Sequence, residues 1–148
     1  MSVENNVYTD LKTSIRRAWP DVATSANGIY ETDMIDKIPW ETLTPPYAVI
    51  AIEEFPESGE GSQDTTNYLP EAHIYYVAAT TGPLTTMRDK LSALKDDLLS
   101  NVFANIEVWQ IPLLSYSRTI DANLIFAQKR MPHQAGRVCV KCFVGTGY

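Results

Sequence analysis

The chain has 148 residues, a length that suits one compact domain able to fold without disulfides or a structural metal. Its apolar fraction is 45% and its charged fraction 20%, ordinary globular values, and the densest apolar patches, 48–52 and 74–79, are far too short for a membrane-spanning helix. A net charge of −6 speaks against a nucleic-acid grip, and two cysteines cannot build a disulfide framework.

The start, MSVENNVYTD, has neither a basic stretch nor an apolar core, so no cleaved signal peptide is expected, and free thiols suit a reducing compartment. Charge is unevenly spread. Residues 1–74 carry four Lys/Arg against thirteen Asp/Glu, and residues 75–148 carry eight against five. Between Glu53 and Glu71 there are six acids and no base, whereas Arg118 to Lys141 holds five bases and one acid, Asp121. Two solvated surfaces would account for this. Complementary patches that meet between identical subunits would account for it too, with charge setting the register.

Val3, Val7, Leu11, Ile15 and Trp19 recur at steps of four and predict a helix, with Ser2 as N-cap and Pro20 as its end. Residues 20–46 read as an irregular arm marked by Asn27-Gly28 and by Pro39, Pro45 and Pro46. Ile29-Tyr30 suits a short strand, and Ile29, Ile35, Ile38, Trp40 and Leu43 should dock rather than stay free. Tyr47–Glu54 and Ala72–Thr80 read as strands, separated by a long acidic loop over 55–71. A second helix is expected over Leu84–Ser100, with Leu84, Met87, Leu91, Leu94, Leu98 and Val102 on one face and Thr86 with Asp89 as a capping box. Ile106–Tyr116 carries Pro112 and suits an edge or bulged strand. Ile120–Met131 and Val138–Val144 read as a long hairpin with its tip at 129–137. The order predicts a single α+β domain, an antiparallel or mixed sheet of about five strands with two main helices packed on one face.

No chemistry-bearing constellation stands out. Cys139-Val-Lys-Cys142 has redox or zinc spacing, but the surrounding alternation is that of a strand and sends the two sulfurs to opposite faces. Cys142 then reads as a small core hydrophobe. His73 and His133 stand at no zinc-finger spacing, and neither lies near a nucleophile context. Glu53, Glu54 and Glu57 offer carboxylates, but neighbouring strand residues point opposite ways, so Glu53 and Glu54 are not expected to converge. Tyr75 and Tyr76 also diverge, which suits packing better than base stacking. No catalytic residue, metal or cofactor is assigned.

The run of Ala18-Trp19-Pro20 after a helix, Pro46-Tyr47-Ala48-Val49-Ile50 opening a strand, HIYYVAAT, MRDKLSALKDDLL and the closing NLIFAQKRMPHQAGRVCVKCFVG resembles the tail terminator (tail completion) proteins of long-tailed bacteriophages. The resemblance covers most of residues 3–147 and lies in the order and flavour of elements. It implies a non-enzymatic virion component assembled in the host cytoplasm. In that family, subunits form a homohexameric ring that caps the tail tube. The implied partners are further copies of the chain, the tail tube protein and a head-closure or neck protein, with DNA only as passing cargo and no membrane. Under this reading the interface draws on Glu53, Glu54, Glu57, Glu60 and Asp64 on one side. Lys129, Arg130, His133 and Arg137 stand on the other. A different neck or tube protein is the alternative within that class. A small regulatory domain that binds a cationic partner through 53–71 is the alternative outside it.

Overall fold

The computed structural model describes residues 3–24, 28–34, 37–40, 42–56, 67–78, 84–116 and 134–145. The Ser2 cap, Ile35, Glu57, Glu60, Asp64, the segment 120–131, Lys129, Arg130 and His133 lie outside them. The fold is α+β, a mixed sheet with two long helices on one face.

Helix α1 (Val3–Ala18) buries Val7, Leu11 and Ile15, the stripe expected from the four-residue spacing. Pro20 ends that helix but also opens another, the short α2 (Pro20–Ala23), where its missing N–H costs nothing at the first helical position. Gly28 adopts a left-handed φ of 57° and leads into β1 (Ile29–Thr32). β1 pairs in parallel with β2 (Tyr47–Ala51). Parallel neighbours need a crossover, and residues 33–46 supply it. Ile38 and Trp40 are buried on the way, and the cis Pro45–Pro46 bond leads into β2. The expected docking of the arm is seen at Ile38 and Trp40, with Leu43 packed against them.

β2 pairs antiparallel with β4 (Glu71–Val77), which pairs antiparallel with β6 (Ala135–Gly145). The two-residue β3 (Asn67–Tyr68) bonds β6 in the register that β4 would reach if prolonged, so β3 and β4 are two pieces of one interrupted strand. β5 (Ile106–Tyr116) takes the other side of β6, with register shifts on both sides of Gln110. The expected bulging of this strand is therefore present, one shift falling between Gln110 and Leu113, across Pro112. The expected hairpin is not: β4 and β5 occupy the two sides of β6, so its antiparallel partner is β5 rather than 120–131. Arg137 consequently lies between Tyr75 and Ser115 inside the sheet, not at a turn.

Alternation along the strands feeds two cores. Ala48, Ile50, Ile74, Tyr76, Val138, Val140, Cys142 and Val144 face α1 and the second long helix, α3 (Leu84–Ser100). On α3 the buried side chains are Met87, Leu91, Leu94 and Leu98, whereas Val102 lies beyond the helix end and is fully exposed. Because α3 begins at Leu84, Thr86 lies inside its first turn and is not the cap. Gly136 lets this helix approach closely, since a Cβ there would stand 2.8 Å from Met87 Sδ and 3.0 Å from Leu91 Cδ1. The other face carries Tyr47, Val49, Ala51, Tyr75, Val77 and Ala135 under Ile38 and Trp40. Tyr75 and Tyr76 thus diverge as expected: Tyr76 meets Trp19 edge-on at 5.0 Å, and Tyr75 meets Trp40 at 5.5 Å.

Polar links fix the helices on this frame. Buried Asp10 accepts hydrogen bonds from the backbone N–H of Asn105 (2.7 Å) and Ile106 (3.1 Å), which anchors the start of β5 to α1. Asp97 on α3 accepts from Ser14 (2.6 Å) and from Arg17 through two nitrogens. Asp21 accepts from the Tyr76 hydroxyl and from Lys90, while the Trp19 indole donates to the Lys90 carbonyl.

Truncating Asp10 leaves two backbone donors without their carboxylate, so Asp10→Ala should lower unfolding free energy by about 2–3 kcal/mol. Asp10→Asn, which keeps one acceptor oxygen, should recover part of that loss in urea denaturation. A pH effect follows from the other two carboxylates. Burial pushes Asp21 and Asp97 up, but hydrogen bonds from Tyr76 and Lys90, and from Arg17 and Ser14, outweigh it and hold both below the ordinary value. The unfolded chain then binds protons first as pH falls, so this stability is complete above about pH 4 and is lost through the folded-state values beneath it. Denaturation midpoints at pH 7, 4 and 3 should show that fall, and Asp97→Asn should flatten it.

Candidate interaction surface

Two clefts open where β2 runs out at Ala51. One, of about 470 Å³, lies between α1 and the β1–β2 end and carries Glu4, Glu31, Asp33 and Glu53, with Tyr8 and Phe55 as its aromatic wall. Tyr8 is fixed there by donating its hydroxyl to the Thr32 carbonyl at 2.9 Å, and burial, helped by Glu31, pushes its phenol up to about 12. The second cleft, of about 370 Å³, is lined by Glu53, Glu54, Glu71 and His73 with Pro56 and Leu69. Glu53 belongs to both, so the clefts form one acidic seam. Lys12 meets it at Glu31, 2.9 Å away.

The strand expected through Glu54 is shorter: β2 ends at Ala51, and Glu53 and Glu54 beyond it both line the second cleft. Backbone alternation no longer governs their direction once the ladder stops.

Basic groups stand deeper in the sheet. Arg137 is the register partner of Tyr75, and Lys141 of Glu71, an opposite-charge pair across the strands. Of the nine residues expected at an interface, the described ones are Glu53, Glu54 and Arg137. The two acids lie together; Arg137 sits on the same sheet but is only partly exposed.

The register also assembles a group that the sequence reading did not find. His73 lies directly across from Cys139, and Glu71 is two residues along on the same face. The Cys139 thiol donates to Glu71 Oε1 at 3.0 Å, its sulfur is 3.4 Å from His73 Nδ1, and His73 Nε2 is 3.8 Å from Glu71 Oε1. The pattern Glu-x-His in one strand and a cysteine in an alternating strand was visible, but only the pairing of β4 with β6 joins them.

This is not the setting of a cysteine nucleophile. A reactive thiol is held low by nearby positive charge or a helix start. Here burial and then Glu71 push Cys139 up to about 12, and burial and then Arg137 push His73 down. Cys142 lies in the helix-side core, where burial pushes it up to about 12 as well. The two cysteines occupy opposite faces, as their spacing predicted. No protein-family model matches the chain, and no curated protein matches it significantly.

Both thiols are buried. In the native protein at pH 7.5 they should react with a disulfide reagent at least about 100-fold more slowly than a free cysteine, and at the free rate once unfolded. A fast-reacting thiol in the native chain would contradict the packing described.

Proposed function

We propose that this chain is a non-enzymatic structural subunit that assembles with copies of itself into a ring, in the manner of a phage tail terminator. In that role the ring caps the tail tube at its head-proximal end and docks it to a head-closure protein, in the neck of a virion assembled in the host cytoplasm. The observation that carries the reading is the acidic seam through Glu53, which joins two open clefts at one end of the sheet. The cationic residues of 118–141 fall in another part of the chain. A ring closes through heterologous contacts, in which two different patches of each subunit meet, so separated acidic and basic surfaces are what it needs. A net-negative particle also lets DNA pass without holding its phosphates.

The test is the native particle. Light scattering and electron microscopy should give a sixfold ring. A strictly monomeric protein at high concentration overturns the reading. Open-ended tubes would reassign the chain to a tube protein, and a monomer whose melting point is raised by a small cationic ligand would reassign it to a regulatory binding domain. Reversing Lys129 and Arg130 together to Glu should raise the concentration needed for assembly about tenfold or more, equivalent to about 1.4 kcal/mol. Reversing Glu53 and Glu54 to Lys should do the same, and combining the four changes should restore part of the loss. Unchanged assembly in both double variants would remove these patches from the interface.

A further inference from the structure

We infer that Glu71, His73 and Cys139 form a binding site for a zinc-type divalent transition-metal ion, with the fourth position open to the neighbouring cleft. Each residue offers one donor atom, and these atoms lie within 4.8 Å of one another. Tetrahedral zinc with bonds of about 2.3 Å to sulfur and about 2.0–2.2 Å to nitrogen and oxygen holds its ligand atoms about 3.4–3.6 Å apart. With Nδ1 as the imidazole donor, the sulfur stands 3.0 Å from the carboxylate oxygen and 3.4 Å from the nitrogen, close to that spacing. Three protein donors and one open position is the pattern of zinc sites that keep an exchangeable ligand.

The donor set selects the class of ion. A thiolate and an imidazole favour zinc, cobalt, nickel or copper, whereas magnesium and calcium prefer oxygen donors throughout. Access to the site is through His73 and Glu71, which line the open cleft, while Cys139 is only 3% exposed. Charge agrees. Glu53, Glu54 and Glu71 against Arg137 and Lys141 leave one excess negative charge, and loss of the Cys139 proton on binding supplies a second. Binding exchanges the proton of the thiol for the metal. The S–H bond breaks, a sulfur–metal bond forms from the sulfur electron pair, and the proton passes to the buffer, with no change of oxidation state. A hydrated ion enters through the cleft and keeps one water in the fourth position.

Because β4 and β6 both supply ligands, the ion ties the two central strands of the sheet. This holds for the single chain and does not depend on ring assembly. The C-x-x-C spacing plays no part in it, since Cys142 lies in the opposite core.

The test uses the full chain, treated with a chelator and titrated with Co²⁺ and then Zn²⁺. One Co²⁺ per chain should produce a thiolate-to-metal charge-transfer band and the strong visible bands of tetrahedral cobalt, and Zn²⁺ should abolish them. Zn²⁺ should also raise the melting temperature. Cys139→Ser and His73→Ala should each weaken binding by more than about 100-fold, beyond the effect of losing an outer-shell partner. Glu71→Gln, at an exposed position that leaves the fold intact, should weaken it by at least about tenfold. Cys142→Ala should keep the spectrum. The inference falls if the native chain gives no charge-transfer band. It falls equally if the band survives in Cys139→Ser, or if Glu71→Gln and His73→Ala, folded by circular dichroism, bind Co²⁺ as the parent does.

Discussion

The pairing of β6 on both sides is the constraint from which the rest of the molecule follows. β4 runs along one side of it and β5 along the other. Once that register is set, parity decides the fate of every side chain in the central strand. Val138, Val140, Cys142 and Val144 go to the helices, and Arg137, Cys139 and Lys141 go to the other face. A one-residue slip would send the charges into the helix-side core and the valines to the opposite face. The cost of burying Arg137 and Lys141 without partners is what makes the register single-valued.

The helix layer is held by two kinds of contact. Apolar packing of α1 and α3 on the sheet supplies most of the favourable area, and the buried carboxylate of Asp10 with the Asp97 and Asp21 links supplies direction. The links join parts of the chain far apart in sequence: Asp10 reaches Asn105, Ser14 reaches Asp97, and Asp21 reaches Tyr76 and Lys90. Each uses a charged acceptor with more than one donor, the arrangement in which a hydrogen bond contributes most and is least tolerant of truncation. The second face of the sheet is closed differently. The crossover between β1 and β2 lays Ile38 and Trp40 over Tyr75, Val49 and Val77, and this cover stops before His73, leaving the acidic end open.

Local pattern revealed much of this fold. The bounds of α3, the apolar stripe of α1, the β2 and β4 cores and the bulged character of β5 all reside in spacing within a single segment. What escaped involved the meeting of distant segments, or one residue serving two elements. Pro20 was legible as a stop but also opens α2. The nearest apolar run in sequence, 120–131, looked like the partner of β6, whereas β5 holds that position. The sequence pattern extends the strand to Glu54, three residues past the end of the ladder at Ala51, and so conceals that Glu53 and Glu54 line one cleft. For β6 the missing information is a pairing, which no window of one strand contains.

The two cysteines show how the same rule can both exclude a site and create one. Three residues apart in a strand, Cys139 and Cys142 cannot share an ion, because alternation sends their sulfurs to opposite faces. That separation removes Cys142 to an apolar core where its thiol only packs. It also leaves Cys139 on the face where β4 presents His73 and Glu71. An even spacing between the cysteines would have put both sulfurs on one face, either both in the helix-side core or both beside the acidic cleft. The odd spacing instead places one soft donor among an imidazole and a carboxylate, at the boundary where the apolar cover of the second face ends. The chemistry available at that point is a consequence of strand parity, and a shift of β4 against β6 by one residue would dissolve it while leaving every residue in the sequence unchanged.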